Sequence, residues 1–306
     1  MPVLALLWTW YPLTVAAIVA WVSLVATTPG ASSAAFVALH VGVTALALVT
    51  HHSMKARTKL TQRVVWSVFT FGGLPTVFSS LGMVLPMIHP EPWEWWCIRC
   101  DRVLWGRDPI PVLQSTLHPL FVEVLQACYA SFYLLPIAAL VGIAIRRRGA
   151  HFDRALALVA FGFQASYLGY LVWPTLGPNR LGLWDAPVTG LWVAEHLHNI
   201  IEQLEANLWD CFPSGHTMLS VLAVWIAFWG LRWLAWTLLP IAICIVYATM
   251  ALRYHYAADV AAGIAGALST IALSPLLRAP LLRETLLRET LPGEPRIRPP
   301  RPSPTI

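Results

Sequence analysis

Apolar runs of about 20 residues, separated by short polar stretches, fill most of this chain. Eight can be read, at roughly 3–26, 33–50, 64–86, 119–145, 155–173, 215–231, 233–252 and 256–277. A helix of about 20 apolar residues crosses a hydrocarbon core of about 30 Å. A lipid-exposed segment must also satisfy its own backbone, which leaves the helix as the element these runs form. The pattern predicts an all-α, polytopic membrane helical bundle of about eight transmembrane helices. The first run lacks a basic n-region and a clear small-residue cleavage site, so it reads as an anchor and not a signal peptide.

Composition agrees. The chain is 58% hydrophobic and 11% charged, with a mean hydropathy of +0.64, against about 25% charged residues in soluble domains. The charges are also placed unevenly. Lys55, Arg57, Lys59 and Arg63 lie between runs two and three, Arg146, Arg147, Arg148 and Arg154 between runs four and five, and six arginines follow run eight. The alternate loops, 87–118 and 174–214, are acidic on balance. Basic loops stay cytoplasmic, so both termini and every basic loop are expected on that side of a cell membrane. The net charge of +5 then reports topology and gives no reason to expect a nucleic-acid partner.

Two polar motifs interrupt the apolar pattern, each where a span begins. They are Pro213-Ser214-Gly215-His216 and Arg253-Tyr254-His255-Tyr256-Ala257-Ala258-Asp259. The charge bias puts both, with Leu176-Gly177-Pro178-Asn179-Arg180, on the extracytoplasmic face, where joint chemistry becomes possible. His255 and Asp259 stand four apart, on one helix face. A carboxylate bonded to one ring nitrogen fixes the tautomer and leaves the other nitrogen as a nucleophile. An imidazole attacking phosphorus gives a phosphohistidine, and His216 suits the acid–base role. Ser214 and Gly215 open a helix, where free N–H groups and close approach favour a phosphate. Arg180 and Arg253 are the candidate cations for its oxygens. This scheme needs no metal and no cofactor. The plainer readings are a helix–helix hydrogen-bonding histidine and a metal site built from His216, His255 and Asp259. Four ionisable groups in two motifs on one face argue for function instead.

Phe212-Pro213-Ser214-Gly215-His216-Thr217 resembles the second signature of the type 2 phosphatidic acid phosphatase superfamily, and His255 with Asp259, Val260 and Gly263 resembles the third. The resemblance implies a six-helix catalytic core in which His255 is the nucleophile, His216 the acid–base and Asp259 the orienting acid. The chain would then divide into two added N-terminal helices with a basic loop (1–63), the core (64–278) and a Pro/Arg-rich, disordered tail (279–306). The usual first signature is absent, with Pro174 to Arg180 in its place, and Ala248 and Thr249 stand where the third signature has Ser-Arg. That pattern is similar to the branch holding inositol phosphorylceramide and sphingomyelin synthases.

The expected activity is hydrolysis of a membrane lipid phosphoester of the phosphatidic acid or polyprenyl phosphate type. Transfer of a phospho-headgroup between lipids is the alternative, and a non-catalytic transporter or scaffold stands behind both. Oligomeric state is not legible. Cys97 and Cys100 can form a short disulfide or remain free thiols, while Cys128, Cys211 and Cys244 read as packing residues. Val193, Leu197, Ile201, Leu204 and Leu208, opposite Glu195, His198, Glu202 and Glu205, predict an amphipathic interfacial helix. It either seals the bundle, the simpler reading, or gates lipid entry. Trp93, Trp95, Trp96 and Trp105 fit an interfacial aromatic belt.

Overall fold

The computed structural model describes residues 1–25, 31–89, 91–146, 149–182, 188–204 and 207–275. The expectations placed on Arg147, Arg148, Glu205 and the tail at 279–306 lie outside them. The described residues form α1 (Pro2–Val25), α2 (Ala31–Met54), α3 (Lys59–Ile88), α4 (Glu94–Trp105), α5 (Pro109–Gln114), α6 (Pro119–Ala130), α7 (Leu134–Ile145), α8 (Gly149–Val172), α9 (Ala194–Leu204), α10 (Gly215–Ala227), α11 (Arg232–Ala251) and α12 (Ala257–Leu273). No strand forms among the described residues, and one isolated bridge joins Thr175 to Asp210. The protein is an all-α, multi-pass membrane bundle.

Among the described residues, six segments are long and apolar enough to cross a membrane: Pro2–Ser23, Ser32–Met54, Lys59–Ile88, Pro119–Ile145, Gly149–Val172 and Arg232–Ala251. The fourth of these is α6 and α7 joined through a 3-10 turn at Ser131–Tyr133. The two remaining expected spans are the shorter helices α10 and α12. At 13 and 17 residues they rise about 20 and 25 Å, short of a full crossing. Each begins within its polar motif, at Gly215 and at Ala257, and the motif takes up the depth that further apolar turns would have filled.

The α8 helix lies at the centre, packed against α1, α3, α7, α10 and α12, and every side chain from Arg154 to Ala160 is buried. Against it, α1 is anchored to α3 by the Trp8 indole, which donates to Thr70 Oγ1 at 3.3 Å. The start of α3 meets the start of α8 through the Arg63–Asp153 ion pair, Nε to Oδ1 2.7 Å. The basic stretches around Arg63 and Arg154 therefore share one end of the bundle. The other end of α8 runs into Thr175, which bridges to Asp210 just ahead of the Pro213–His216 motif.

The amphipathic segment is shorter than its apolar repeat implies. Among the described residues the helix covers Ala194–Leu204, and Val193 and Leu208 are not helical. Its apolar repeat is split: Ile201 packs against the cluster of Val122, Leu125 and Tyr129, while Val193 and Leu204 are 52% and 72% exposed. The polar repeat is split as well: His198 and Glu202 find partners on the site side, and Glu195 is exposed. The 87–118 loop carries two helices, α4 and α5, that the apolar pattern gave no reason to expect.

Candidate active site

Two helix starts and one turn build the site. Ser214 caps α10, its Oγ accepting from Thr217 N at 3.2 Å, as a short hydroxyl side chain does at an N-terminus. The α12 start is capped by Asp259, whose Oδ2 accepts from Tyr256 N at 2.9 Å. Asp101 of α4 adds a second clamp, accepting from Ala257 N and Ala258 N at 3.0 and 2.7 Å. The two starts are tied directly by Ser214 N donating to the Asp259 carbonyl at 3.0 Å. Gly263 permits that approach: a Cβ there would stand 2.5 Å from the Ser214 carbonyl oxygen. Between α11 and α12 the chain turns at Arg253, whose φ of 66° is uncommon for a residue with a side chain. The turn lets Tyr254 N and His255 N share the Thr249 carbonyl at 2.9 and 2.7 Å.

This scaffold brings the three expected catalytic residues together. His255 Nε2 lies 3.5 Å from His216 Nδ1. On the other edge of the ring, His255 Nδ1 lies 2.9 Å from the Cys211 carbonyl oxygen and 3.5 Å from Asp259 Oδ2. A carbonyl only accepts, so Nδ1 carries the proton and Nε2 presents its lone pair. The orienting group is thus a backbone carbonyl, with Asp259 behind it. The carboxylate also accepts from the thiols of Cys211 (Oδ2, 2.8 Å) and Cys97 (Oδ1, 3.3 Å). His216 stacks on Tyr129 at 4.4 Å, and Tyr129 on Tyr254 at 4.0 Å. His216 and His255 are 8% and 4% exposed.

The expected phosphate-binding residues sit differently. Arg180 pairs with Glu202 of α9, Nη2 to Oε2 2.5 Å, and Asn179 donates to the same carboxylate at 3.0 Å. Arg253 donates to Gln114 Oε1 at 2.8 Å, and its carbonyl accepts from Asn179 N at 2.9 Å. Both arginines thus border the site on loops that are bonded to each other, with their guanidiniums held by α9 and α5. Ser214 is fully buried and committed to the cap. Gly215 packs where a Cβ would meet Tyr170 Oη at 2.6 Å. The first-turn N–H groups of Gly215 and His216 precede the first intrahelical bond, from Met218 N to Ser214 O.

A cleft of about 410 Å³ opens near the site without touching His216 or His255, lined by Gln126, Asn179, Glu195, His198, Asn199 and Arg253 among others. Tyr254 stands between cleft and histidines, bonded to His198 Nδ1 at 2.7 Å and to Gln126 at 3.0 Å. Burial pushes the Asp101 carboxyl up to about 6, against the pull of the Ala257 and Ala258 N–H groups. It likewise raises Asp210, against the pull of His255 and Arg180, and both burial and Asp259 raise the Cys211 thiol.

Sequence reasoning missed Tyr129, Gln126, Asp101 and the Cys211 carbonyl. Of the two alternatives for Cys97 and Cys100 the structure shows free thiols, and Cys97 faces Asp259, a contact not anticipated from the sequence. An acid and a thiol in an otherwise tryptophan-rich loop were the available signals for Asp101 and Cys97. A family model described as the PAP2 superfamily matches residues 95–273. No curated protein and no solved structure matches the chain.

Proposed function

This chain belongs to the PAP2 superfamily, and from that premise we propose an integral-membrane phosphatase that hydrolyses a lipid phosphoester on the extracytoplasmic face. The observation that carries the reading is the pair of bonds at His255, with Nδ1 on the Cys211 carbonyl and Nε2 facing His216. His255 Nε2 attacks phosphorus, and the bond to the lipid oxygen breaks. His216 gives that oxygen a proton, and the lipid alcohol leaves. Water then attacks the phosphohistidine, returns a proton to His216, and the P–N bond breaks to release phosphate. Arg180 and Arg253, turning from Glu202 and Gln114, neutralise the phosphoryl oxygens beside the N–H groups of the α10 start.

The short helices α10 and α12 support a lipid substrate. If their far ends reach one edge of the hydrocarbon core, their starts lie about 5–10 Å beneath the opposite headgroup level, within reach of a phosphate whose acyl or prenyl tail stays in the core. The basic stretches at the opposite end of the bundle favour a cytoplasmic assignment there. The proposed division is two added helices in 1–63, the catalytic core in 64–278 and a tail in 279–306.

One observation favours headgroup transfer to a lipid hydroxyl as a second reading. The histidines are shut from solvent, and a polar cleft large enough for an acceptor headgroup opens beyond Tyr254. Phosphate release by purified protein from a panel of lipid phosphates, with and without an added lipid alcohol, separates the two. Free phosphate that disappears in His255→Ala and His216→Ala supports the phosphatase, whereas transfer with little free phosphate supports the transferase. Release unchanged in both variants would contradict either reading.

A further inference from the structure

Three potential metal ligands converge at the Nδ1 edge of His255, and a fourth reaches them through Asp259. The Cys211 thiol, His255 Nδ1 and a carboxylate oxygen of Asp259 all lie within 4.8 Å of one another, and all three residues are buried. Sγ is 3.4 Å from Nδ1 and 2.8 Å from Oδ2, and Nδ1 is 3.5 Å from Oδ2. The fourth group, the Cys97 thiol, touches the other carboxylate oxygen at 3.3 Å and is fully buried. We propose that Cys97, Cys211, His255 and Asp259 form a binding site for one thiophilic divalent cation of the Zn2+ type, and that the bound ion turns the enzyme off.

The dimensions support this. Zinc holds sulfur at about 2.3 Å and nitrogen or oxygen at about 2.0–2.2 Å, so a tetrahedral site separates its ligand atoms by roughly 3.3–3.7 Å. Two of the three edges already have that length. The third, from Sγ to Oδ2, is drawn in by the thiol proton that it carries, and it opens when that proton leaves. Two thiolates, an imidazole and a carboxylate select a borderline-soft ion over Mg2+ or Ca2+.

Inhibition follows from proton bookkeeping at His255 and rests on its reading as the nucleophile. A metal on Nδ1 displaces the ring proton to Nε2, so the lone pair that attacks phosphorus is consumed. The two thiols lose their protons as well, and two protons reach solvent for each ion bound.

The binding claim is tested apart from any activity. Detergent-purified full-length protein is titrated with Cd2+ alone, following the thiolate-to-metal charge-transfer absorption and the protons released. One ion per chain, with two protons released, is expected. A chain with Cys100→Ser, Cys128→Ala and Cys244→Ala keeps the band, and Cys97→Ser or Cys211→Ser weakens binding at least tenfold. No band in the natural protein overturns the site, as does an affinity that Cys211→Ser leaves unchanged or a thiol titration finding Cys97 joined to Cys211. Zn2+ inhibition at the same concentration, reversed by chelator, then tests the switch. Stoichiometric Cd2+ binding without activity on any lipid phosphate would count against the proposed reaction and leave the metal site standing.

Discussion

The carbonyl oxygen of Cys211 lies 2.9 Å from Nδ1 of His255, closer than any oxygen of Asp259, whose nearest approach is 3.5 Å. The backbone at the second motif therefore holds the tautomer of the nucleophile at the third. Asp259 acts more as a keystone, bonded to Tyr256 N, Cys211 and Cys97.

Asp259→Asn should accordingly lower kcat by about 10- to 100-fold. That is well short of the roughly 10⁴-fold cost where the carboxylate alone fixes the tautomer. The same change weakens the α12 cap and should cost about 1 kcal/mol of stability. Steady-state kinetics with a thermal melt check both, and a 10⁴-fold loss would return the orienting role to the carboxylate.

His216→Ala should lower kcat by about 10²- to 10⁴-fold on a lipid phosphate, the usual worth of a positioned acid–base group. With a leaving group that needs no proton, the first step is restored while hydrolysis stays slow. An acid-labile phosphoenzyme should then accumulate, and its absence would put His216 outside the acid–base role.

Arg180 is held by Glu202, and both are about one-quarter exposed. Arg180→Ala should lower kcat/KM by roughly 10- to 100-fold through lost charge-assisted bonds to phosphate. Glu202→Gln should act mainly on KM, because it frees the guanidinium without removing it. Equal falls in kcat and kcat/KM for Glu202→Gln would contradict that assignment.

Asp101 titrates up to about 6 in the folded chain, from an ordinary value of 3.8. Between those values the folded state keeps a proton that the unfolded state has released, so stability falls as pH rises. The melting-temperature advantage of the natural chain over Asp101→Asn should be greatest near pH 4. It should shrink towards pH 6 and flatten above. An advantage that grows with pH would reverse the sign.

Gly263→Ala places a Cβ 2.5 Å from the Ser214 carbonyl and should force α12 away from α10. A loss of about 1–3 kcal/mol in stability is expected, with activity falling further than stability as His216 and Asp259 separate. Unchanged melting and turnover would show that the helix starts tolerate a wider spacing.

The bundle was legible because apolar runs near 20 residues leave the backbone no alternative to helix in lipid. The shortness of α10 and α12 was hidden, since the apolar count cannot tell a full crossing from one whose first turns give way to a polar motif. The histidines and Asp259 were legible from a spacing that survives within one helix and one turn. Cys97 was not, because 162 positions separate it from Asp259 and only the packing of α4 against α12 joins them. Backbone groups escaped for a different reason: the Cys211 carbonyl carries no residue signature. His198 and Glu202 of α9 are held at the site by Tyr254 and Arg180, partners that the helix's own periodicity could not name.

The central claim is a phosphoryl group carried on His255. Purified protein would be mixed with a lipid phosphate labelled in its phosphoryl group, quenched in base within the first turnover and mapped by mass spectrometry. The account predicts an acid-labile, base-stable phosphate on Nε2 of His255, absent from His255→Ala. Label on another residue, or the same label in His255→Ala, would contradict it.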